Sequence, residues 1–253
     1  MGEALPDAET VARALGANAE AIATGLPGGW ASGPPEARAF VTGLRVPTMN
    51  GVCAFDETAR PAVIERSLDE VRAAGVPFAL LARPGGRTSA AHIARAWALT
   101  AAGGPIPLMA TGRPVRAPAV PALRIRRLED TELAVHGRIA ERAFGVPAHV
   151  FDTVSEAALR VPGTALHLGE VDGVPVTTSL SMSGGGATAV FNVATAPEHR
   201  GRGYGAAITA HAVAVGFDAG ARFAWLQSTP AGHPIYERLG FRTLERWSCW
   251  LSG

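Results

Sequence analysis

The sequence contains no lysine: all 23 basic residues are arginine, set against 22 acidic residues for a net charge of +1. A chain so balanced has no electrostatic reason to take nucleic acid or an anionic membrane surface as its main partner. Cysteine is scarce as well. Cys53 and Cys249 are too few and too far apart for a disulfide framework or a metal site, and read as small buried hydrophobes of a reduced protein. No apolar run approaches the ~18 residues of a membrane span. The opening MGEALPDAET lacks the basic stretch and apolar core of a secretory signal, and position 6 is Pro where a myristoylation signal has Ser or Thr. No His, Cys and Asp fall at metal-ligand spacing. These absences predict a cytoplasmic protein with no metal, no nucleic-acid partner and no membrane. The missing lysine, with abundant Ala, Gly and Pro, points to a bacterial genome of high GC content.

What is present describes an ordinary folded protein. The 253 residues are 47% hydrophobic and 18% charged, enough for one large or two modest domains with a sizeable core. In the first half, helices are expected at Asp7–Thr24, Thr58–Ala74 (capped by Thr58) and Ser89–Thr100. Strands are expected at Ala37–Leu44, Gly51–Phe55, Phe78–Ala82 and Ile106–Thr111, with loop at Pro27–Pro35. PVRAPAVP, from Pro114 to Pro121, reads as a linker. Beyond it, a strand at Leu123–Leu128 leads to helices at Asp130–Phe144, capped by Asp130, and His149–Leu159. Strands Leu166–Val171 and Val176–Met182 are joined by an Asp172-Gly173 hairpin.

The chemistry centres on VFNVATAPEHRGRGYGAAITAHAVAVGF, Val190 to Phe217. An apolar strand is stopped by Pro197, a glycine-rich turn follows, and an Ala-rich helix begins. That order makes an anion site: glycines let successive N–H groups converge, and the helix adds unpaired donors and the positive end of its dipole. Arg200 and Arg202 can add full charges. Gly201, Gly203 and Ala206 also fit G-x-G-x-x-A, a dinucleotide fingerprint. That reading fails because Pro197, Glu198 and His199 separate strand from glycines, and the next strand, Phe223–Gln227, carries no acidic residue at its end.

R-G-R-G-Y-G, with Arg200, Gly203 and Gly205 at R-x-x-G-x-G spacing, resembles the acetyl-CoA loop of the GNAT superfamily of N-acetyltransferases. FAWLQSTPAGHPIYERLGFR, Phe223 to Arg242, is similar to the strand and helix that follow in that family, including the Y-E-x-L-G-F ending. The resemblance covers roughly residues 122–253. It implies an α+β, mixed α/β fold: a central, mixed but mostly antiparallel sheet flanked by helices. The strand–helix–strand order of the first half resembles the latter part of the same fold, without the glycine motif. The expected organisation is therefore two lobes in tandem. Residues 1–118 would form a degenerate GNAT-like or unrelated α/β domain, and 119–253 the N-acetyltransferase domain.

The same resemblance assigns roles. Backbone at Val193, Ala194 and Thr195 would pair with the pantetheine arm, and Arg200, Gly201, Arg202, Gly203, Tyr204, Gly205 and Ala206 would hold the pyrophosphate. Thr229 would contact the cofactor, and Tyr236 would be the general acid toward the departing thiolate. A base is harder to name. The positions where relatives carry a Glu are Ala189 and Ala224 here, leaving Glu170 as the candidate carboxylate, with His167 and Asn192 nearby in the pattern. Glu170 also reads as an ordinary hairpin polar residue, and His167 as solvated on an edge. The expected activity is transfer of acetyl from acetyl-CoA, a co-substrate, to a primary amine of a small molecule, by a monomer or homodimer. The alternative is an inactive acyl-CoA-binding sensor module.

Overall fold

A computed structural model describes residues 4–55 and 59–253. In chain order its first elements are α1 (Ala8–Thr24), β1 (Trp30–Ser32), β2 (Ala37–Val41), β3 (Asn50–Ala54), α2 (Pro61–Ala73), β4 (Ala79–Ala82), α3 (Arg87–Ala96), β5 (Thr100–Ala101) and β6 (Ile106–Thr111). There follow β7 (Arg124–Arg127), α4 (Leu133–Phe144), α5 (Val150–Leu159), β8 (Thr164–Val171), β9 (Val174–Gly184), β10 (Ala187–Thr195), α6 (Tyr204–Asp218), β11 (Phe223–Gln227), α7 (His233–Leu239) and β12 (Arg242–Leu251). The expected elements are present with ends shifted by a few residues. Inside the expected loop at Pro27–Pro35, β1 forms and pairs antiparallel with β2.

Local chemistry explains the helix starts. Pro61 opens α2, where its missing N–H costs nothing, and Ile64, Ser67, Leu68 and Val71 recur at helical spacing on the buried face. The proposed Thr58 cap lies outside the described residues, and so does the side chain of Asp130. Before α4 the N–H of Glu129 is taken by the Glu132 carboxylate at 3.1 Å, which satisfies one backbone donor of the turn leading into that helix.

Two compact units result, and they are not the linear halves 1–118 and 119–253. One holds Met109–Arg242, with the described residues before Ala8. The other holds Ala8–Leu108 together with Thr243–Gly253. The chain passes between them within β6 and within β12. Pro114–Pro121, read as a linker, belongs to the first unit, because Val115 is buried in a core cluster with Met109, Val213 and Leu226.

In the second unit β1, β2 and β3 pair antiparallel, β4 joins β3 in parallel, and β12 closes on β4 antiparallel with β5 beside it. Its core lies under α2 and α3, around Ile64, Leu68, Val71, Leu80 and Ile93. In the first unit β7, β8, β9 and β10 pair antiparallel and β11 joins β10 in parallel. Asp172 and Gly173 turn the β8–β9 hairpin with φ of 52° and 75°, the left-handed pair that a two-residue turn of this twist demands. Helix α6 lies close on the sheet because Gly216 has no side chain: a Cβ there would stand 2.5 Å from the Thr188 side chain. Opposite it, β9 presents the small buried residues Thr177, Ser179 and Ser181.

Candidate active site

Strand β10 is the centre of the site, and its geometry departs from a regular ladder twice. Toward β9, register runs from Phe191–Leu180 to Ala194–Thr178, so β10 spends three steps where β9 spends two. This bulge falls at Asn192 and Val193, with Asn192 in the left-handed region at φ 51°. Asn tolerates that conformation better than other side chains with a Cβ. Toward β11 the pairing covers Ala187–Phe223, Thr188–Ala224 and Ala189–Trp225. Past Ala189 the strands part, and the backbone of residues 190–195 keeps an open edge.

The direction of that edge follows from alternation. The N–H of Ala196 donates to Val176 O at 3.0 Å and Ala194 O accepts from Thr177 Oγ1 at 2.8 Å, so both face β9. The backbone groups of Val193 and Thr195 therefore turn toward the opening. Thr177 Oγ1 also lies 3.0 Å from Thr195 Oγ1, which holds the last residue of the strand in place.

The opening leads to the N-terminus of α6. Gly201 and Gly203 have φ of 77° and 82°, which is why side chains with a Cβ are disfavoured at both. The first helical bond is from Ala207 N to Gly203 O at 3.0 Å, leaving the N–H groups of Tyr204, Gly205 and Ala206 without an acceptor in the helix. A Cβ at Gly205 would meet nothing nearer than Thr195 Oγ1 at 3.6 Å, so an anion can come close to the backbone. This is a cradle of donors at the positive end of a 15-residue helix. The Tyr204 side chain is buried, so only its backbone can serve there.

Val193, Ala206 and Tyr236 are brought together: all three pack against one core cluster that includes Val190, Ala212, Leu226 and Phe241. The Tyr236 ring stands edge-on to Phe241 at 6.0 Å and lies over Gly232, where a Cβ would be 2.9 Å from the ring. Burial pushes its phenol up to about 12, so it stays protonated at neutral pH. Thr229 is exposed, and its Oγ1 accepts the Gly232 N–H at 3.1 Å in the turn that starts α7.

Other expected site residues are engaged elsewhere. Glu170 accepts from Arg126 at 2.8 and 3.3 Å, while the same guanidinium holds Glu132 at 2.7 Å through two nitrogens. The Glu170 carboxylate is committed to Arg126 where β7 pairs with β8. The Arg126 guanidinium and the Glu129 N–H hold the Glu132 carboxyl down at about 2. His167 is not solvated on an edge. It is buried, its Nε2 is 2.9 Å from Ser181 Oγ, and its ring stands edge-on to His211 at 5.0 Å. Burial, then His211 and Arg127, lower it to about 4. Ala189 and Ala224 are buried as well, so those positions offer no proton acceptor.

Arg200 has an unexpected set of partners. Its Nη2 donates to Ala143 O at 2.8 Å and its Nε lies 3.4 Å from Thr195 O. Arg202 is exposed beside the cradle. Sequence reasoning missed Arg200's partners, the bulge and a buried link from α4 to β9: His136 Nδ1 lies 2.7 Å from Thr178 Oγ1, which itself donates to His167 O at 2.9 Å. The only sequence signal for the bulge is a polar Asn192 inside an otherwise apolar strand.

Comparison with known proteins agrees with this geometry. Residues 163–243 match the family model described as an acetyltransferase (GNAT) domain. No curated protein matches the chain. Among solved structures, a GCN5-related N-acetyltransferase from Kribbella flavida is 22% identical, with a TM-score of 0.73 over 96% of this chain and 95% of that one. Another from Sphaerobacter thermophilus is 19% identical, with a TM-score of 0.64 over 86% of this chain and 76% of that one. A functionally unknown conserved protein from Staphylococcus epidermidis is 10% identical, with a TM-score of 0.61 over 87% and 92%. At these identities the solved structures establish a shared fold.

Proposed function

We propose that this chain, whose residues 163–243 match the family model of a GNAT acetyltransferase domain, transfers acetyl from acetyl-CoA to a primary amine of a small molecule. The observation that carries the reading is the parting of β10 from β11 after Ala189–Trp225, with an open backbone edge that ends at the unpaired donors of α6. An extended pantetheine arm fits such an edge as an added strand would, and the diphosphate fits the cradle. Acetyl-CoA supplies the thioester. The N–H groups of Val193 and Thr195 face the opening, where they can polarise a carbonyl. Tyr236 holds a proton for the sulfur that leaves as the amine nitrogen bonds to the acetyl carbon.

The second unit supports a degenerate copy of the same plan. Its order β1-β2-β3-α2-β4-α3 repeats β8-β9-β10-α6-β11-α7, with the parallel pair in the same place. In that copy the gap is closed. Strands β3 and β4 stay paired through Ala54–Ala82, and Arg83 N continues to Ala54 O at 3.3 Å. We assign the cofactor to residues 109–242 alone.

The decisive experiment is acetyl-CoA binding followed by thermal denaturation. A ligand bound only by the folded state raises the melting temperature by mass action. Gly205→Glu should abolish the rise, since position 205 accepts a Cβ without backbone strain and the new carboxylate would stand among the cradle donors. No shift at ~100-fold excess over a micromolar dissociation constant would overturn the reading. The rival reading, a sensor that binds acyl-CoA without turnover, draws on the buried Ala189 and Ala224 and on Glu170's engagement by Arg126. A thiol-release screen across primary amines separates the two.

A further inference from the structure

Resting on that cofactor reading, we propose that Arg200 is a positioning residue through which bound CoA orders the corner between α4 and α5. The reason begins in sequence. A carbonyl in the last turn of a helix looks for a donor four residues on, and for Ala143 that residue is Pro147, which has no N–H. The neighbouring donors are spent: Gly145 N and Val146 N both go to Glu141 O, at 2.8 and 3.3 Å. Arg200 Nη2 takes the place of the missing donor at 2.8 Å and adds a cation where the helix dipole is negative. One turn-edge away, Arg142 pairs with Glu198 at 3.0 Å, a second link between α4 and the segment before the cradle.

The corner has local contacts at its α5 end, where His149 Nδ1 lies 3.1 Å from Asp152 Oδ2 and Thr153 Oγ1 donates to His149 O at 3.0 Å. The Phe144 and Phe151 rings stand 5.5 Å apart across it. Gly145 and His149 both lie in the left-handed region, at φ 69° and 67°, and the His149 side chain is 86% exposed. Arg200's other contact, Nε to Thr195 O at 3.4 Å, is the weaker one. It sits on a carbonyl that turns toward the open edge, where an amide of the pantetheine arm would donate. Cofactor therefore displaces the weak contact and keeps the strong one. The diphosphate in the cradle attracts the same guanidinium, which is then fixed between an anion and Ala143 O. Residues 145–149 become ordered when CoA is bound.

Hydrogen exchange on the full chain tests this with CoA as the probe, so no acceptor need be known. In wild type, CoA should slow exchange at Gly145, Val146, Ala148 and His149 by at least about fivefold, the lower end of ordinary coupling between sites. Arg200→Gln, compared with wild type at CoA concentrations that calorimetry shows to saturate each protein, should lose that extra protection. Arg200→Lys, with one ammonium for two partners, should restore part of it. Equal CoA-dependent protection in Arg200→Gln and wild type overturns the proposal. Wild type that binds CoA without protecting the corner overturns it too, leaving the cofactor reading intact. Wild type that binds no CoA overturns both.

Discussion

Cys53 and Cys249 flank Leu81, each its register partner on a neighbouring strand, β3 on one side and β12 on the other. Two strand spacings, roughly 10 Å, separate their backbones, too far for a disulfide. Both thiols are buried; desolvation pushes Cys53 up to about 12 and Cys249 to about 11. An aromatic disulfide reagent should therefore find no fast-reacting thiol in the folded protein and two after denaturation. One rapid equivalent under native conditions would contradict the placement. The same burial gives a thiol-release assay a clean baseline.

Tyr236→Phe tests the proton donor. Removing a hydroxyl used mainly in the transition state should lower the rate constant by about 10²–10⁴ while acetyl-CoA affinity changes little. With the phenol raised to about 12, the wild-type rate should show no loss from its ionisation through mildly alkaline pH. A variant as fast as wild type would leave Tyr236 with only its packing on Phe241.

Two buried histidines predict acid sensitivity. Burial lowers His136 and His167 from 6.5 to about 4, the first opposed by Asp152, the second reinforced by His211 and Arg127. The unfolded chain takes up protons on both below pH 6.5, while the folded chain resists until about 4. Their stabilisation is thus complete above pH 6.5 and is lost as pH falls toward 4, by up to about 1.4 kcal/mol per unit for each. Melting temperature should fall steeply across that window. His136→Gln or His167→Asn should make the fall shallower, and an unchanged slope in either would show that the titration lies elsewhere.

Arg83 predicts the most damaging charge removal in the second unit. Its side chain is 10% exposed and that of Glu245 12%, and Glu245 also accepts from Trp247 Nε1 at 2.9 Å. Glu9, the other acidic partner, is half exposed. Glu245→Ala leaves a buried guanidinium short of its main anion, which should cost about 3 kcal/mol in denaturant unfolding. Glu9→Ala should cost clearly less. Equal losses would mean that burial does not distinguish the two partners.

How far the sequence could be read depended on how local the determinant was. Gly201, Gly203 and Gly205 declare the cradle because a left-handed turn and a helix start need only neighbouring residues. Tyr236 reaches the same core as Val193 and Ala206 by the ordinary periodicity of α7. The parting of β10 from β11 was not legible, because register is decided between strands and leaves no mark but Asn192. His167 was misplaced for a related reason: β8 alternates, but which face α6 covers is a tertiary fact. Arg200's second partner, the Ala143 carbonyl, was not legible because it is 57 residues away. Pro147, four residues past Ala143, was the available hint.

Strand β12 has a consequence for biosynthesis. It pairs with β4, so the sheet that starts near residue 30 lacks a strand until residues 243–251 have left the ribosome. Chains ordinarily fold from the N-terminus as they emerge. Here most of the unit with the cradle is contiguous, from Met109 to Arg242, and is complete earlier. Residues 8–108 would wait for β12, with the edge of β4, Ala79–Ala82, uncovered in the meantime. Anything that delays synthesis of residues 243–251 therefore leaves the edge of β4 open for longer.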